Sequence, residues 1–367
     1  VEVAMDRIKL KWNADVVHNN DWQTGLVSAL LTLEQKRPRT VFTIHNMAYQ
    51  GNFPYGVFSG LELPHHWWHE DGVEFYGNMS MLKAGIMYSD KVTTVSPTYA
   101  KEICTDEFAY GFEGIMNKCL TEGRLTGVLN GIDQDYWNPE KDDLIPYNYS
   151  ITSKLKANKE KNKLALLQEM NATDDMLDPE IPLFGLIGRL VEQKGIDLVL
   201  SVLPDLLEYS DANFIFLGSG DSHFEHSLKS FTQQYPDRIL TYIGYSEALA
   251  HKIEAGVDMF LMPSRFEPCG LNQMYSLAYG TLPIVHHTGG LADTVINSTT
   301  ENIEAGQATG FVFYDPTSYA LKETMYYAIS LFNQKAIWEQ IQKTAMSQNN
   351  SWENSAQAYF DLYTVKD

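Results

Sequence analysis

Short β-branched runs alternate with helix-length amphipathic stretches along nearly all of this sequence, and that alternation leaves few folds open. In the first part the runs are Asp15–His18, Val41–Ile44, Lys91–Val95 and Leu125–Leu129. In the second they are Leu183–Ile187, Asn213–Leu217, Ile239–Ile243, Asp258–Met262, Leu282–Val285 and Gly310–Phe313. Neighbouring parallel strands need a long crossover, which a helix supplies, so the pattern predicts parallel sheets flanked by helices. Six runs suffice for a complete doubly wound domain, whereas the first set offers only four. A chain of 367 residues also exceeds one ordinary core, so we expect two domains.

Charge narrows the partners. A formal net charge of −20 argues against nucleic acid and against an anionic membrane, and it requires any phosphate-bearing ligand to meet a local island of positive charge. No apolar run is long enough to predict a membrane span. Cys104, Cys119 and Cys269 lack Cys-x-x-Cys spacing and fit reduced thiols in a cytoplasm better than a disulfide framework. The chain opens at Val1 without a methionine, a signal peptide or a cap for its first element. We therefore expect a C-terminal part of a longer protein, with its first domain incomplete.

The polar candidates gather where strands end, which is where open α/β sheets bind ligands. His45 and Asn46 follow one run and Asn130-Gly131 another. In the second half the residues in these places are Gly188-Arg189, Gly218-Ser-Gly220, Tyr245, Arg265 through Gly270, and Thr288-Gly289-Gly290-Leu291. Two such rims predict a cleft between the domains. Paired glycines before a helix let backbone N–H groups approach a phosphate. Arg189 and Lys194 supply the positive island, since two cations near one strand end suit a diphosphate.

Other signals have blander readings. The lysine-rich stretch from Tyr147 to Asp178 reads as a solvated helix face and a connection between domains. Asp133-Gln-Asp135 looks like a metal–diphosphate motif but fits a turn cap better. His65, His66 and His69 have zinc-compatible spacing but few suitable partners, and Trp67 and Trp68 suggest an aromatic loop surface. Cys269 has no local histidine signature for a thiol nucleophile. The stretches Asn46–Asp71 and Asp106–Gly123 read as long functional loops.

Read together, several segments resemble the bacterial glycogen synthases and plant starch synthases. They are Asn20-Asp-Trp22, Thr43 through Gly51, Thr94 through Ala100, Leu129 through Asp133, Arg189 through Gly195, Ser264 through Gly270, and Thr288 through Thr294. The resemblance implies a GT-B type fold of two Rossmann-like domains, here 1–129 plus a closing helix at 351–367, and 130–350. It implies retaining transfer of glucose from ADP-glucose, or UDP-glucose as an alternative, to an α-1,4-glucan, with no metal and no cofactor. The setting would be the cytoplasm, or a plastid in a plant or alga.

Carried over residue by residue, Glu267 matches the carboxylate near the donor sugar and Cys269 its neighbouring cysteine. Arg189 and Lys194 match the diphosphate pair, and Thr288, Gly289, Gly290 and Leu291 the glycine loop. Tyr245 matches the aromatic on the base, His45 the histidine against the sugar, Asn130 a sugar contact and Asp21 an acceptor-side acid. His286 stands where an arginine is usual. Tyr275 occupies the place of the second glutamate of the wider superfamily, which separates the chain from sucrose and trehalose-phosphate synthases. The Lys-x-Gly-Gly-Leu loop is absent, so residues 1–367 alone are expected to bind ADP but transfer no glucose. A glucan-binding protein without catalysis is the rival reading, and the complete set of matched residues argues against it.

Overall fold

The computed structural model describes residues 1–364. It divides into two compact units, Val1–Asn130 with Glu353–Asp367, and Gly131–Trp352. Each of the ten runs named above contributes a strand.

In the first unit β1 (Val16–Asn20), β2 (Arg39–Ile44), β6 (Lys91–Thr94) and β7 (Leu125–Gly127) form a four-stranded parallel sheet in the order β1-β2-β6-β7. Between β2 and β6 the chain makes an excursion the periodicity did not reveal. Here β3 (Asn52–Pro54), β4 (Glu74–Phe75) and β5 (Asn78–Ser80) pair as a small antiparallel sheet. The expected loop Asn46–Asp71 therefore carries structure, and strands of two or three residues are too short for alternation to show. Asp106–Gly123 likewise holds two helices, Asp106–Ala109 and Glu113–Thr121. The buried Lys83 fastens the excursion by donating to the carbonyls of Glu70 and Glu74 (2.6 Å to the latter). Trp67, expected on an aromatic surface, is instead 2% exposed and packs in the core with Phe58 and Met79.

The helix Asp21–Leu31 crosses the helix Met81–Tyr88 at Gly25, where a Cβ would lie 1.8 Å from the Met81 carbonyl oxygen. Only glycine allows that approach. The helix Trp352–Thr364 closes the unit. Its Tyr363 hydroxyl lies 2.6 Å from His18 Nδ1, and the Tyr359 ring sits 5.2 Å from the imidazole. His18 Nε2 faces Thr43 Oγ1 at 2.6 Å, so the ring ties β1 both to β2 and to the end of the chain. Burial, and then the neighbouring His45, pull its pKa down to about 4. The last three residues of the expected closing helix lie outside the described residues.

The second unit has six parallel strands: β8 (Leu183–Leu190), β9 (Asn213–Gly220), β10 (Ile239–Ile243), β11 (Met259–Met262), β12 (Leu282–His286) and β13 (Phe311–Phe313). Their order is β10-β9-β8-β11-β12-β13. The helix Ile196–Tyr209 places Ile196, Val199, Val202, Leu203 and Leu206 on one stripe against Phe184, Phe214 and Phe216. Each such buried side chain contributes about 1.5–3 kcal/mol.

The lysine-rich helix, Leu155–Glu169, corrects the reading of a solvated face. Lys159 and Lys163 are buried, only 6% and 2% exposed. Lys163 Nζ donates to Asp258 Oδ2 at 2.7 Å and to the Pro179 carbonyl at 2.9 Å, and Lys159 donates to Thr281 Oγ1 at 2.7 Å. Asp258 and Thr281 immediately precede β11 and β12, so these lysines fasten the helix beneath the sheet, at the amino ends of its strands. Burial lowers the Lys159 ammonium to about 7.

Candidate functional site

Counted from β8, the strand order of the second unit is 3-2-1-4-5-6, with direction reversing between β8 and β11. That reversal opens a crevice at the carboxyl ends of the two strands, the place such sheets bind nucleotides. An open pocket of about 240 Å³ lies there, lined by Gly188, Arg189, Lys194, Ser264, Glu267 and Asn272 among others. A second pocket of about 280 Å³ adjoins it and shares Ile187, Gly188, Arg189 and Asn272. Its other walls are Leu217, Gly218, Ser219, Gly244, Tyr245, Ser246 and Ala250, a more apolar set from the ends of β9 and β10.

The polar pocket holds opposite charges side by side. Lys194 Nζ donates to Glu267 Oε2, and Ser264 Oγ donates to the same oxygen at 3.0 Å. The Glu267 side chain is 10% exposed and that of Lys194 24%, so the pair is screened from bulk water. Arg189 stands exposed at the rim, with Nη2 3.5 Å from Gln193 Oε1. The two loops carrying these groups are stapled together. Arg265 forms a bidentate pair with Asp197 at 2.7 and 2.6 Å, and Gln193 Nε2 donates to the Phe266 carbonyl at 3.2 Å.

Behind Glu267 lies the glycine loop. Cβ atoms on Gly289 and Gly290 would each fall 2.0 Å from a backbone oxygen, that of Glu267 and that of Cys269. The Gly290 N–H donates to the Glu267 carbonyl at 3.1 Å and is thereby occupied within the protein. The pair of glycines therefore first serves close packing of two loops. Thr288, Gly289, Gly290 and Leu291 are all buried, as is Cys269 at 7% exposure. His286 places Nδ1 2.9 Å from the Ser264 carbonyl and Nε2 3.1 Å from that of Tyr314. It thus supports Ser264, one step removed from Glu267.

Tyr245 is 82% exposed at the mouth of the apolar pocket, and its hydroxyl donates to Glu247 Oε2. That bond raises the phenol pKa. Tyr136 donates to the other oxygen of Glu247 at 3.3 Å. Tyr275 stacks on Trp137 with ring centroids 3.8 Å apart.

In the first unit Asp21 and His45 meet. Asp21 Oδ1 accepts from the His45 backbone N–H at 2.8 Å, and His45 Nε2 lies 2.9 Å from Asn20 Oδ1. Asp21 has φ 56°, a left-handed conformation that β1 and the helix after it impose on a non-glycine residue. Asn130 is half-buried past the end of β7, on the opposite edge of the sheet from β1. It closes the first unit, where we had expected it to open the second domain.

The discounted motifs resolve by their bonds. Asp133 Oδ1 accepts from the N–H groups of Asp135 and Tyr136 at 2.9 and 3.1 Å, an ordinary turn cap, and Asp135 pairs with Lys141. His69 gathers with Glu70 and Asp71 rather than with His65 or His66, and all three are exposed. The sequence did not single out Asn272 or Glu247, and it named Asn20 and Ser264 only as the first residues of matched segments, without a role. Their adjacency to named strand ends was the available signal.

Residues 1–118 match the family of the starch synthase catalytic domain, and residues 175–344 match glycosyl transferases group 1. Over 363 residues the chain is 60% identical to a glycogen synthase of Hydrogenovibrio crunogenus, covering 99% of this chain and 74% of that protein. It is 50% identical over 361 residues to a glycogen synthase of Cellvibrio japonicus, covering 98% and 73%. The chain belongs to the glycogen and starch synthase family. As a member of that family it is a glycosyltransferase, of a kind that elongates glucans. The catalytic domain of Arabidopsis thaliana starch synthase IV, solved bound to ADP and acarbose, matches with a TM-score of 0.89 at 32% identity, covering 99% of this chain and 75% of that one. A sucrose-phosphate synthase from Thermosynechococcus elongatus matches at 18% identity with a TM-score of 0.60 over 98% of this chain and 76% of that one, a likeness of fold alone. The fold is GT-B type. No helix among the described residues is long and apolar enough to cross a membrane.

Proposed function

We propose that this glycosyltransferase moves glucose from ADP-glucose to the 4-hydroxyl at the end of an α-1,4-glucan, with retention at the anomeric carbon. The observation that carries the reading is the Lys194–Glu267 contact, with Arg189 on the same pocket wall, at the switch point of the second unit. Breaking the bond between anomeric carbon and phosphate leaves an oxocarbenium-like sugar and a diphosphate. Glu267 supplies negative charge beside the first, and Lys194 and Arg189 supply positive charge to the second. Charge fixed in place before the reaction costs no reorganisation when it is needed. The acceptor oxygen then bonds to the anomeric carbon on the face the phosphate leaves, and its proton passes to the departing phosphate oxygen. No separate base is required.

The neighbouring apolar pocket suits the base, with Tyr245 stacked on it. Thr288 through Leu291 hold the Glu267 loop from behind, with Cys269 beside them. Asp21, His45 and Asn130 serve the sugar and acceptor side. Three cysteines outside any disulfide fit work in the cytoplasm. The test is to incubate the gene-encoded enzyme with labelled ADP-glucose and glycogen, then digest the product with an exo-acting α-1,4-glucanase. Label released as maltose supports the proposal; no label in glucan, or incorporation only in a parallel incubation with labelled UDP-glucose, overturns it.

A further inference from the structure

We propose that Tyr49, Tyr76 and Tyr110 form a platform on which the acceptor α-glucan stacks as it leads away from Asp21 and His45. The proposal rests on the glucan-elongating reading and names the surface that holds the chain. All three rings are exposed, Tyr76 at 80%, Tyr49 at 55% and Tyr110 at 43%.

Two of them sit where a large side chain is costly. Tyr76 has φ 48° and Tyr110 φ 51°, the left-handed region that favours glycine and asparagine. Tyr76-Gly77 is the two-residue link between β4 and β5, in which Phe75 pairs with Asn78. Such turns strongly prefer asparagine, aspartate or glycine first. Tyr110 ends the helix Asp106–Ala109 ahead of Gly111. Neither turn needs an aromatic ring to form, and neither ring is buried to stabilise a core. Strain kept at an exposed position points to use.

The three loops that carry the rings are tied to one another. A Cβ on Gly111, the residue after Tyr110, would lie 3.3 Å from the Tyr76 ring. Phe75 meets Tyr76 edge-on at 4.7 Å and stacks on the buried Phe112 at 4.2 Å, which anchors the turn beneath the platform. Gln50 Nε2 donates to the Tyr110 carbonyl at 3.0 Å, joining the Tyr49 loop to the Tyr110 loop. The Tyr49 N–H donates to the Asn46 carbonyl at 3.2 Å, next to His45, so the surface begins at the acceptor-side residues.

The surroundings select a neutral polymer. Residues 72–80 and 105–113 contain no lysine or arginine. Lys83, whose ammonium lies 5.9 Å from the Phe75 ring, is buried and donates to the Glu70 and Glu74 carbonyls, so these segments offer a phosphate-bearing chain no exposed cation. Glucose rings present C–H faces that stack on tyrosine, while their hydroxyls find the amides of Gln50, Asn52 and Asn78.

The test compares Tyr76→Asn, Tyr110→Asn and Tyr76→Phe with the wild type. Asparagine is at ease in the left-handed turn, so both asparagine variants should keep or raise the melting temperature. Each should raise the KM for glycogen about three- to tenfold, the scale of one lost ring stack, with the KM for ADP-glucose unchanged. Tyr76→Phe keeps the ring and should keep the wild-type KM. Asparagine variants with a glycogen KM within twofold of wild type would overturn the platform, as would a Tyr76→Phe variant as impaired as Tyr76→Asn. A wild-type enzyme that elongates no glucan at all would instead overturn the function on which the platform rests.

Discussion

Lys194 Nζ donates to Glu267 Oε2, so the cation assigned to the leaving diphosphate is already in contact with the carboxylate assigned to the sugar. The two charges preset each other's position before a donor arrives. An incoming diphosphate competes with Glu267 for the ammonium, and the carboxylate keeps the Ser264 hydroxyl as a partner throughout.

Replacing the carboxylate should separate binding from chemistry. In Glu267→Gln the ammonium is released to the diphosphate, so ADP affinity should hold within a few-fold or tighten. Turnover should fall by about 10²–10³, the scale for removing one preorganised group at a developing charge. Calorimetric ADP titration and steady-state transfer measure the two. Turnover above about a tenth of wild type would remove Glu267 from the transition state.

The cations should behave oppositely. Arg189→Ala and Lys194→Ala should each weaken ADP binding by about 1.5–3 kcal/mol, the worth of a hydrogen bond to a charged group. Lys194→Ala also leaves Glu267 unneutralised beside the phosphates, so it should be the more damaging. Unchanged ADP affinity in both variants would move the diphosphate elsewhere.

Gly290→Ala tests the packing behind the site. Its Cβ would lie 2.0 Å from the Cys269 carbonyl oxygen, and both partners are backbone with no rotamer to yield. Overpacking of this kind costs about 1–3 kcal/mol. We expect a lower melting temperature and a loss of turnover from displacement of the Glu267 loop. Wild-type values for both would show that this close approach is dispensable.

Acid should loosen the first unit through His18. Its folded pKa, about 4, lies below the ordinary value of 6.5, because burial disfavours the imidazolium. Between those values the unfolded chain binds the proton more readily, so stability present above pH 6.5 is lost as pH falls toward 4. Urea unfolding at pH 4.5 and 7 should show a larger acid loss for wild type than for His18→Gln. Equal losses would mean that the ring titrates normally.

The strand pattern of the second sheet was legible because β11, β12 and β13 are buried throughout and β8 and β9 over most of their length, so that they read as continuous apolar runs. Site residues were legible where strand ends carry glycine and charge, as at Gly188-Arg189 and Glu267. The lysines of Leu155–Glu169 were not, since their charge suggested solvent, while their partners Asp258 and Thr281 lie about a hundred residues away in sequence. Trp67 misled for the same reason, its core neighbours being set by the excursion carrying β3 to β5. The glycine loop showed its glycines but not their first duty, because close backbone packing has no signature apart from the glycine itself.

A crystal structure of the enzyme with ADP tests the central claim most directly. The account predicts diphosphate oxygens within hydrogen-bonding distance of both Lys194 and Arg189, with the adenine in the pocket walled by Leu217, Gly244 and Tyr245 and the Tyr245 ring against its face. A nucleotide whose diphosphate touches neither cation, or whose base lies outside that pocket, would contradict it.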